Sequence, residues 1–235
     1  MSLICSVKNL TRIYHQKDSD VAVNALDGVS MEITDGDFAA IAGPSGSGKT
    51  TLLNILGGLD TPTAGEVIID KTDLTKLSAP DLAEFRLRKI GFVFQAYNLI
   101  GTLSAYENAE YVALLQGVPQ DRRLYEAKQL FKDLGMEPYL RRRPSQLSAG
   151  QQQRVAVARA IMARPKIILA DEPTANLDSK TGSDLIELMH AMNKHLGITF
   201  VFATHDRMVM EKAGRLIQLH DGKLAGDSLG APLKT

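Results

Sequence analysis

One glycine-rich segment, Gly43-Pro-Ser-Gly-Ser-Gly-Lys49-Thr50, matches the pattern G-x-x-x-x-G-K-[ST] in full. It follows an apolar run at 38–42 that predicts a buried strand, and it precedes a helical stretch at 51–56. Glycines let such a loop wrap around phosphate oxygens, which backbone N–H groups and the following helix N-terminus then bind. We call residues 43–50 the phosphate loop and expect it to hold a nucleoside triphosphate. Lys49 would then reach the β- and γ-phosphates, and the Thr50 hydroxyl would bind Mg²⁺.

Two adjacent carboxylates, Asp171 and Glu172, follow a second apolar run at 167–170. In an open α/β sheet, ligands bind beyond the carboxyl ends of the strands, so both side chains are expected near the phosphate loop. Asp171 is then expected to hold Mg²⁺, directly or through water, and Glu172 to act as general base on the attacking water. A pair of carboxylates after a strand can also simply cap a loop, but a complete phosphate loop favours the functional interpretation.

Short apolar runs alternate with helical stretches along the chain, which predicts an α/β sheet covered on both faces. The runs typical of buried parallel strands are 38–42, 90–94, 167–170 and 199–203. Antiparallel strands are predicted at 3–14 and 29–33, with a polar stretch at 15–20 between them, and at 215–219 and 223–225 around the turn signal Asp221-Gly222. Helical spacing over 104–116 and 121–134, each ended by a glycine, interrupts this pattern and indicates an inserted helical subdomain.

Composition excludes several classes of protein. Lys+Arg and Asp+Glu both total 27, so the formal net charge is zero and nothing favours nucleic acid as a partner. The single cysteine, Cys5, allows no intrachain disulfide or thiol cluster and fits a reducing compartment. No apolar run approaches the roughly 20 residues that span a bilayer, and 1–8 lack the pattern of a signal peptide. A role at a membrane is therefore expected to need a partner.

The segment Leu147-Ser148-Ala149-Gly150-Gln151, followed by Gln152-Gln153-Arg154, distinguishes among phosphate-loop proteins. It resembles the signature of the ABC ATPase family, which is usually written LSGGQ. Ser148 can cap a helix over about 149–162, whose N-terminus would face an anion. Ala149 replaces the first glycine of the signature and, being small, is expected to have a modest effect. The resemblance implies that this segment closes on the γ-phosphate held by the phosphate loop of a second protomer.

Further segments stand in the order that the family shows, and the resemblance covers essentially the whole chain. Gln95 falls where a glutamine senses Mg²⁺ and the membrane partner, and His205 where a switch histidine contacts the γ-phosphate. Ala175-Asn176-Leu177-Asp178 matches the D-loop, which crosses the dimer interface. Tyr14 falls where an aromatic ring stacks on adenine. Each has a simpler alternative when taken alone: a surface glutamine, a capping histidine, a core tyrosine.

The resemblance implies a phosphate-loop NTPase (RecA-like) core, with an N-terminal antiparallel β subdomain at 1–35 and the helical subdomain at 96–158. The core would comprise 36–95 and 159–235. The implied cofactors are ATP and Mg²⁺, with Glu172, His205 and Lys49 catalytic and Thr50, Gln95 and Asp171 at the metal. The implied ATP-binding residues are Tyr14, Gly43, Pro44, Ser45, Gly46, Ser47, Gly48, Lys49, Thr50, Thr51, Gln95, Ser148, Gly150 and Gln151. The implied dimer-interface residues are Ala149, Asn176 and Asp178.

Two segments, 53–65 and 91–99, resemble the lipoprotein-releasing and macrolide-export type of ABC ATPase. This implies a homodimer around two Mg-ATP that drives an integral-membrane permease from the cytoplasmic face of a bacterial inner membrane. A regulatory ATPase that signals to cell-wall or division machinery through a membrane partner would carry the same motifs and remains an alternative. DNA-repair and translation ATPases are disfavoured, because the chain has no long coiled coil and only one set of motifs. A kinase or GTPase would leave the signature and His205 without a role.

Overall fold

The computed structural model of the chain describes residues 2–15 and 22–229, so most of the polar stretch predicted at 15–20 lies outside it. The strands are β1 Leu3–His15, β2 Ala22–Thr34, β3 Phe38–Ala42, β4 Ala64–Ile69, β5 Thr72–Asp73, β6 Ile90–Val93, β7 Ile167–Asp171, β8 Thr199–Thr204, β9 Arg215–His220 and β10 Lys223–Leu229. The helices are α1 Lys49–Leu56, α2 Ala79–Lys89, α3 Ala105–Leu115, α4 Gln120–Asp133, α5 Ala149–Met162, α6 Ser179–Leu196 and α7 Arg207–Lys212.

The larger sheet has six strands in the order β10-β9-β3-β8-β7-β6, and all neighbours are parallel except β10 and β9. All four predicted parallel strands and the hairpin around Asp221-Gly222 are confirmed. Side chains alternate between two faces: Val201 packs with α1, while Phe200 and Phe202 pack with α5 and α6. Both faces are covered, which explains why these strands are apolar throughout rather than at every second residue.

A second sheet is antiparallel, in the order β2-β1-β4-β5. This sheet extends beyond the predicted N-terminal β subdomain at 1–35, because β4 pairs with β1 and β5 pairs with β4, although both strands lie in residues that the sequence analysis placed in the core. Strand β2 also begins seven residues before the predicted start at 29. Buried side chains of this sheet, including Leu10, Leu26 and Val67, pack against α1 and against the face of the larger sheet that carries Val201.

Helices α3, α4 and α5 form the helical part of the molecule. Ser104 caps α3 with a capping box, and the glycines that end α3 and α4, Gly117 and Gly135, have φ values of 78° and 64°. Helix α5 has the bounds predicted from the sequence, so the proposed boundary at 158 falls inside it. The C-terminal half of α5 lies against β6 so closely that a Cβ on Gly91 would meet the Ala160 carbonyl at 3.0 Å. None of the described helices is long and apolar enough to cross a bilayer.

Candidate nucleotide-binding site

The phosphate loop connects β3 to α1 and is fixed by close backbone contacts. Gly48 has a φ of 100°, and a Cβ there would meet the Ala25 carbonyl at 2.4 Å, so only glycine fits. A Cβ on Gly43 would meet the Leu219 carbonyl at 2.2 Å. The buried Lys49 ammonium donates to the carbonyls of Gly43 and Pro44 at 2.8 and 2.9 Å. These contacts shape the loop around the Lys49 side chain.

Not every residue of the loop faces the same way. Pro44, Ser45, Gly46 and Gly48 line a cleft, whereas the Ser47 side chain is buried behind the loop. The Ser47 carbonyl accepts a hydrogen bond from Gly222 N–H at 3.1 Å, which holds the loop on the β9–β10 hairpin. Ser47 therefore supports the loop through its backbone rather than presenting its hydroxyl to the cleft.

The end of β7 brings Asp171 to the first turn of α1. Thr50 Oγ1 donates to Asp171 Oδ1 at 3.2 Å. Burial raises the pKa of Asp171 above its ordinary value, with a smaller contribution from the charge of Glu172, against the opposing effects of the Thr50 hydrogen bond and the Lys49 charge. The hydroxyl and the carboxylate predicted to bind Mg²⁺ are thus adjacent.

Glu172 faces the end of β8. Its Oε2 accepts from the Thr204 hydroxyl at 3.1 Å, and its Oε1 lies 2.7 Å from His205 Nδ1. The Glu172 side chain is largely buried, while that of His205 is 71% exposed. The backbone of Glu172 has a φ of 43°, in the left-handed region that residues other than glycine rarely adopt. The predicted general base and switch histidine are therefore in direct contact.

The phosphate loop, Glu172 and His205 line one cleft of about 650 Å³, together with Thr51, Gln95 and Ala175. Three further lining residues, Val23, Asn24 and Ala25 of β2, were missed in the sequence analysis. The predicted start of β2 at 29 excluded them, and no tight motif marks them. The contact between Gly48 and the Ala25 carbonyl explains how β2 comes to form one wall of the cleft.

Tyr14 lies outside the group of residues that line this cleft, although its strand partner Val23 belongs to it. The Tyr14 hydroxyl donates to Asp60 Oδ2 at 2.6 Å, and the Arg12 guanidinium lies 4.4 Å from the centre of the ring. One face of the ring is therefore covered by an arginine. Stacking of Tyr14 on adenine stays a prediction.

The D-loop segment 175–178 is tied to the cleft and to α6. Asn176 Nδ2 donates to the carbonyl of Gln95, the second residue after β6, at 2.9 Å, which connects the segment to the end of that strand. Asp178 caps α6 by accepting from the N–H and the hydroxyl of Thr181 at 3.0 and 2.6 Å. Both side chains are engaged within the chain, so their predicted place at a dimer interface stays a prediction.

The signature segment stands apart from the cleft. Ser148 caps α5 in a capping box, because Ser148 Oγ accepts from Gln151 N–H at 3.3 Å and Gln151 Oε1 accepts from Ser148 N–H at 3.0 Å. Ser148 and Ala149 are exposed. Gly150 is buried against α6, where a Cβ would meet the Thr181 methyl at 2.4 Å. None of these residues lines the cleft of its own chain.

The oxygen atoms of Thr50, Asp171 and Gln95 suit Mg²⁺, which prefers hard oxygen ligands and completes its octahedron with water and substrate phosphates. Among the described residues, no three His, Cys, Asp or Glu side chains form a metal-binding group. Bound Mg²⁺ would neutralise phosphate charge during phosphoryl transfer.

The family model described as ABC transporter matches residues 26–175, which include the phosphate loop, the signature segment and the Asp171-Glu172 pair. The chain belongs to the ABC transporter family, as an ATPase domain. It is 46% identical over 229 residues to the macrolide export ATP-binding/permease protein MacB of Brucella melitensis, covering 97% of this chain and 35% of that protein. It is 44% identical to an uncharacterized ABC transporter ATP-binding protein of Thermotoga maritima, covering 96% and 95% of the two chains.

The fold agrees with solved ABC cassettes. The dimeric, post-hydrolysis structure of the ATP-binding cassette MJ0796 bound to ADP and Pi superposes with a TM-score of 0.89 at 41% identity, covering 98% of this chain and 100% of that one. This confirms the predicted phosphate-loop NTPase fold and the assignment as an ATP hydrolase. The chain spans 35% of the length of the MacB relative, so the match does not assign the activity of that whole protein to this chain.

The contact between Gly150 and Thr181 generates a prediction. Gly150→Ala should destabilise the chain by about 1–3 kcal/mol, because the added methyl overlaps the Thr181 methyl. Thr181→Ser removes that methyl and keeps the hydroxyl that donates to Asp178, so the double variant should regain most of the lost stability. Urea unfolding of the four chains measures both effects. If Gly150→Ala and the double variant were equally destabilised, overlap with the Thr181 methyl would not be the cause of the lost stability.

Proposed function

We propose that two copies of this chain bind two Mg-ATP head-to-tail and hydrolyse them between their facing surfaces. The observation that carries the proposal is the division of the machinery within one chain. Lys49, Glu172 and His205 share a cleft, whereas Ser148 stands exposed at the start of α5 outside it. A second copy is the natural source of the missing helix N-terminus at the γ-phosphate. The dimeric state of the MJ0796 cassette bound to ADP and Pi supports this arrangement.

In this proposal the chain's own residues divide the work of hydrolysis. The phosphate-loop N–H groups and Lys49 bind the phosphates, and Thr50 and Asp171 hold the metal. Glu172 accepts a proton from the attacking water, while the bond between the γ-phosphoryl group and ADP breaks. His205 and the Thr204 hydroxyl contact the two carboxylate oxygens of Glu172 and fix its orientation. Most of the acceleration comes from positioning and electrostatics.

Glu172→Gln should bind ATP, hydrolyse it very slowly and accumulate as a dimer, because the amide cannot accept the proton of the attacking water while ATP keeps the two surfaces together. Light scattering with saturating Mg-ATP measures the dimer, and phosphate release measures the hydrolysis. Glu187→Gln is the matched control, since Glu187 is exposed on α6 and pairs with Lys212. A Glu172→Gln chain that stays monomeric, or hydrolyses ATP at the wild-type rate, would contradict the proposal.

We also propose that an integral-membrane permease docks in a second groove, of about 470 Å³, between α2 and β6 on one side and α3 and α5 on the other. Exposed apolar side chains line it, among them Ile100, Tyr111 and Leu115 at 39%, 38% and 56% exposure. Arg159 of α5 also lines the groove and donates to the carbonyls of Tyr97 and Asn98, which follow Gln95. A helix seated there would contact the segment that leads into the nucleotide cleft.

The permease would place the chain at the cytoplasmic face of a bacterial inner membrane, where opening and closing of the dimer moves a periplasmic part of the partner. The likeness to MacB, which is named for macrolide export, supports export of a small molecule, and the segments 53–65 and 91–99 equally support export of a peptide or release of a lipoprotein. The alternative is an ATPase that regulates cell-wall or division machinery through a membrane partner. The identity of the permease separates these uses.

The permease proposal is tested by affinity capture of the tagged Glu172→Gln chain from native membranes with Mg-ATP, read by mass spectrometry. We expect a permease with few spans and a large periplasmic domain. Leu115→Arg should abolish its capture by placing a charge in the groove, whereas Leu124→Arg, on α4 outside the groove, should not. Recovery of ribosomes or DNA-repair proteins, or equal capture by both arginine variants, would overturn the proposed partner or its docking site.

A further inference from the structure

Gln153 is a fully buried glutamine in the second turn of α5. Its Nε2 donates to the Pro173 carbonyl at 2.9 Å, while its Oε1 has no hydrogen-bond partner among the described residues. A buried polar atom without a partner costs free energy, and the neighbouring Val155, Ala156 and Val157 are apolar. An amide at this position is therefore unfavourable for packing alone, and its favourable polar contact is the bond to the Pro173 carbonyl.

That carbonyl belongs to the residue directly after Glu172. Glu172 has a φ of 43°, and it precedes a proline, a position that ordinarily favours extended backbone. Two backbone hydrogen bonds support this conformation, from Glu172 N–H to the Ala203 carbonyl at 2.9 Å and from Ala175 N–H to the Glu172 carbonyl at 3.2 Å. The side chain of Gln153 adds a hydrogen bond from α5 to the Pro173 carbonyl, which holds the backbone directly after Glu172.

The same bond connects Glu172 to the signature helix. The capping residue of α5, Ser148, stands five residues before Gln153, and the first turn of the helix packs Gly150 against Thr181. Helix α5 thus contacts the segment 172–181 at two points, one beside the general base and one at the start of α6. A displacement of α5 would be transmitted to the backbone that aims the Glu172 carboxylate.

We infer that Gln153 is a positioning residue for hydrolysis: its amide holds the Pro173 carbonyl so that the Glu172 carboxylate is aimed at the attacking water only while α5 is seated against the core. The inference rests on the proposed role of Glu172 as general base. Gln153 is buried and does not line the nucleotide cleft, so it acts through the conformation of its neighbour. Cleavage in a chain's own cleft then depends on the position of the helix whose N-terminus serves the opposite cleft.

The first test is Gln153→Met, which keeps the length of the side chain and removes its donor. We expect kcat to fall by roughly tenfold to a hundredfold, because a small misplacement of a catalytic group has effects of that size. The dissociation constant for a non-hydrolysable ATP analogue should not change, since the phosphate loop is untouched. Gln116→Met is the matched control: Gln116 also donates to backbone carbonyls, those of Leu87 and Ala163, away from Glu172 and from the signature segment, so its loss should leave kcat unchanged.

The second test separates positioning from a general structural role. In the Glu172→Gln background the base is already absent, so adding Gln153→Met should cause no further fall in the residual rate. An equal fold-loss in both backgrounds, or an unchanged kcat in the single variant, would overturn the inference. If Gln153→Met does not fold, Gln153→Leu serves the same comparison. If Glu172→Gln alone hydrolysed ATP at the wild-type rate, the proposed general base would be refuted instead. Failure of the inference and failure of the proposed function are therefore distinguishable.

Discussion

Three neighbouring parallel strands, β3, β8 and β7, end at the same edge of the larger sheet, and the nucleotide cleft depends on that register. Ala42 pairs with Thr204, and Asp171 pairs with Ala203, so the residues that follow each strand meet. The phosphate loop follows β3, the carboxylates end β7, and His205 follows β8. Because side chains alternate between the faces of a sheet, a slip of one residue would remove these groups from one another and expose the apolar core.

Helix α5 is the second element that the site requires, and its contacts reach three functional segments. Its N-terminus carries Ser148, Gln153 binds the backbone beside Glu172, and Arg159 donates to the carbonyls of Tyr97 and Asn98. Tyr97 and Asn98 have φ values of 59° and 50°, so this backbone, like that of Glu172, is held in a conformation that it would rarely adopt alone. Because α5 carries or contacts all three segments, its movement can couple the proposed permease groove, the cleft and the opposite protomer.

Much of this arrangement follows from local sequence pattern. The phosphate loop, the continuous apolar runs of the buried strands and the Ser148 cap of α5 each depend on neighbours in the chain, so the pattern was sufficient. The placement of β4 beside β1 depends on pairing between distant residues, which no periodicity reveals, so the sequence analysis placed residues 64–69 with the core. The same limit hid Val23, Asn24 and Ala25, which reach the cleft only because β2 packs against Gly48.

Other features depend on tertiary contacts that the sequence does not announce. Glu172 has a left-handed backbone although it precedes a proline, a position that locally favours the extended conformation. The motifs gave Asn176 and Asp178 a role between protomers, and the structure adds contacts with Gln95 and Thr181 inside one protomer. Tyr14 was identified by its position in the family pattern, yet its hydroxyl and one ring face are engaged by Asp60 and Arg12.

The central claim is that each cleft is completed by the signature segment of the other copy, and mixing two inactive variants tests it most directly. Lys49→Ala should fail to bind the phosphates, and Ser148→Arg should block the partner's cleft, so neither homodimer should hydrolyse ATP. A heterodimer of the two carries both defects in one cleft and leaves the other intact. We predict that an equal mixture hydrolyses ATP well above the sum of the separate chains. A mixture no more active than that sum would show that Ser148 serves its own chain and would contradict the account.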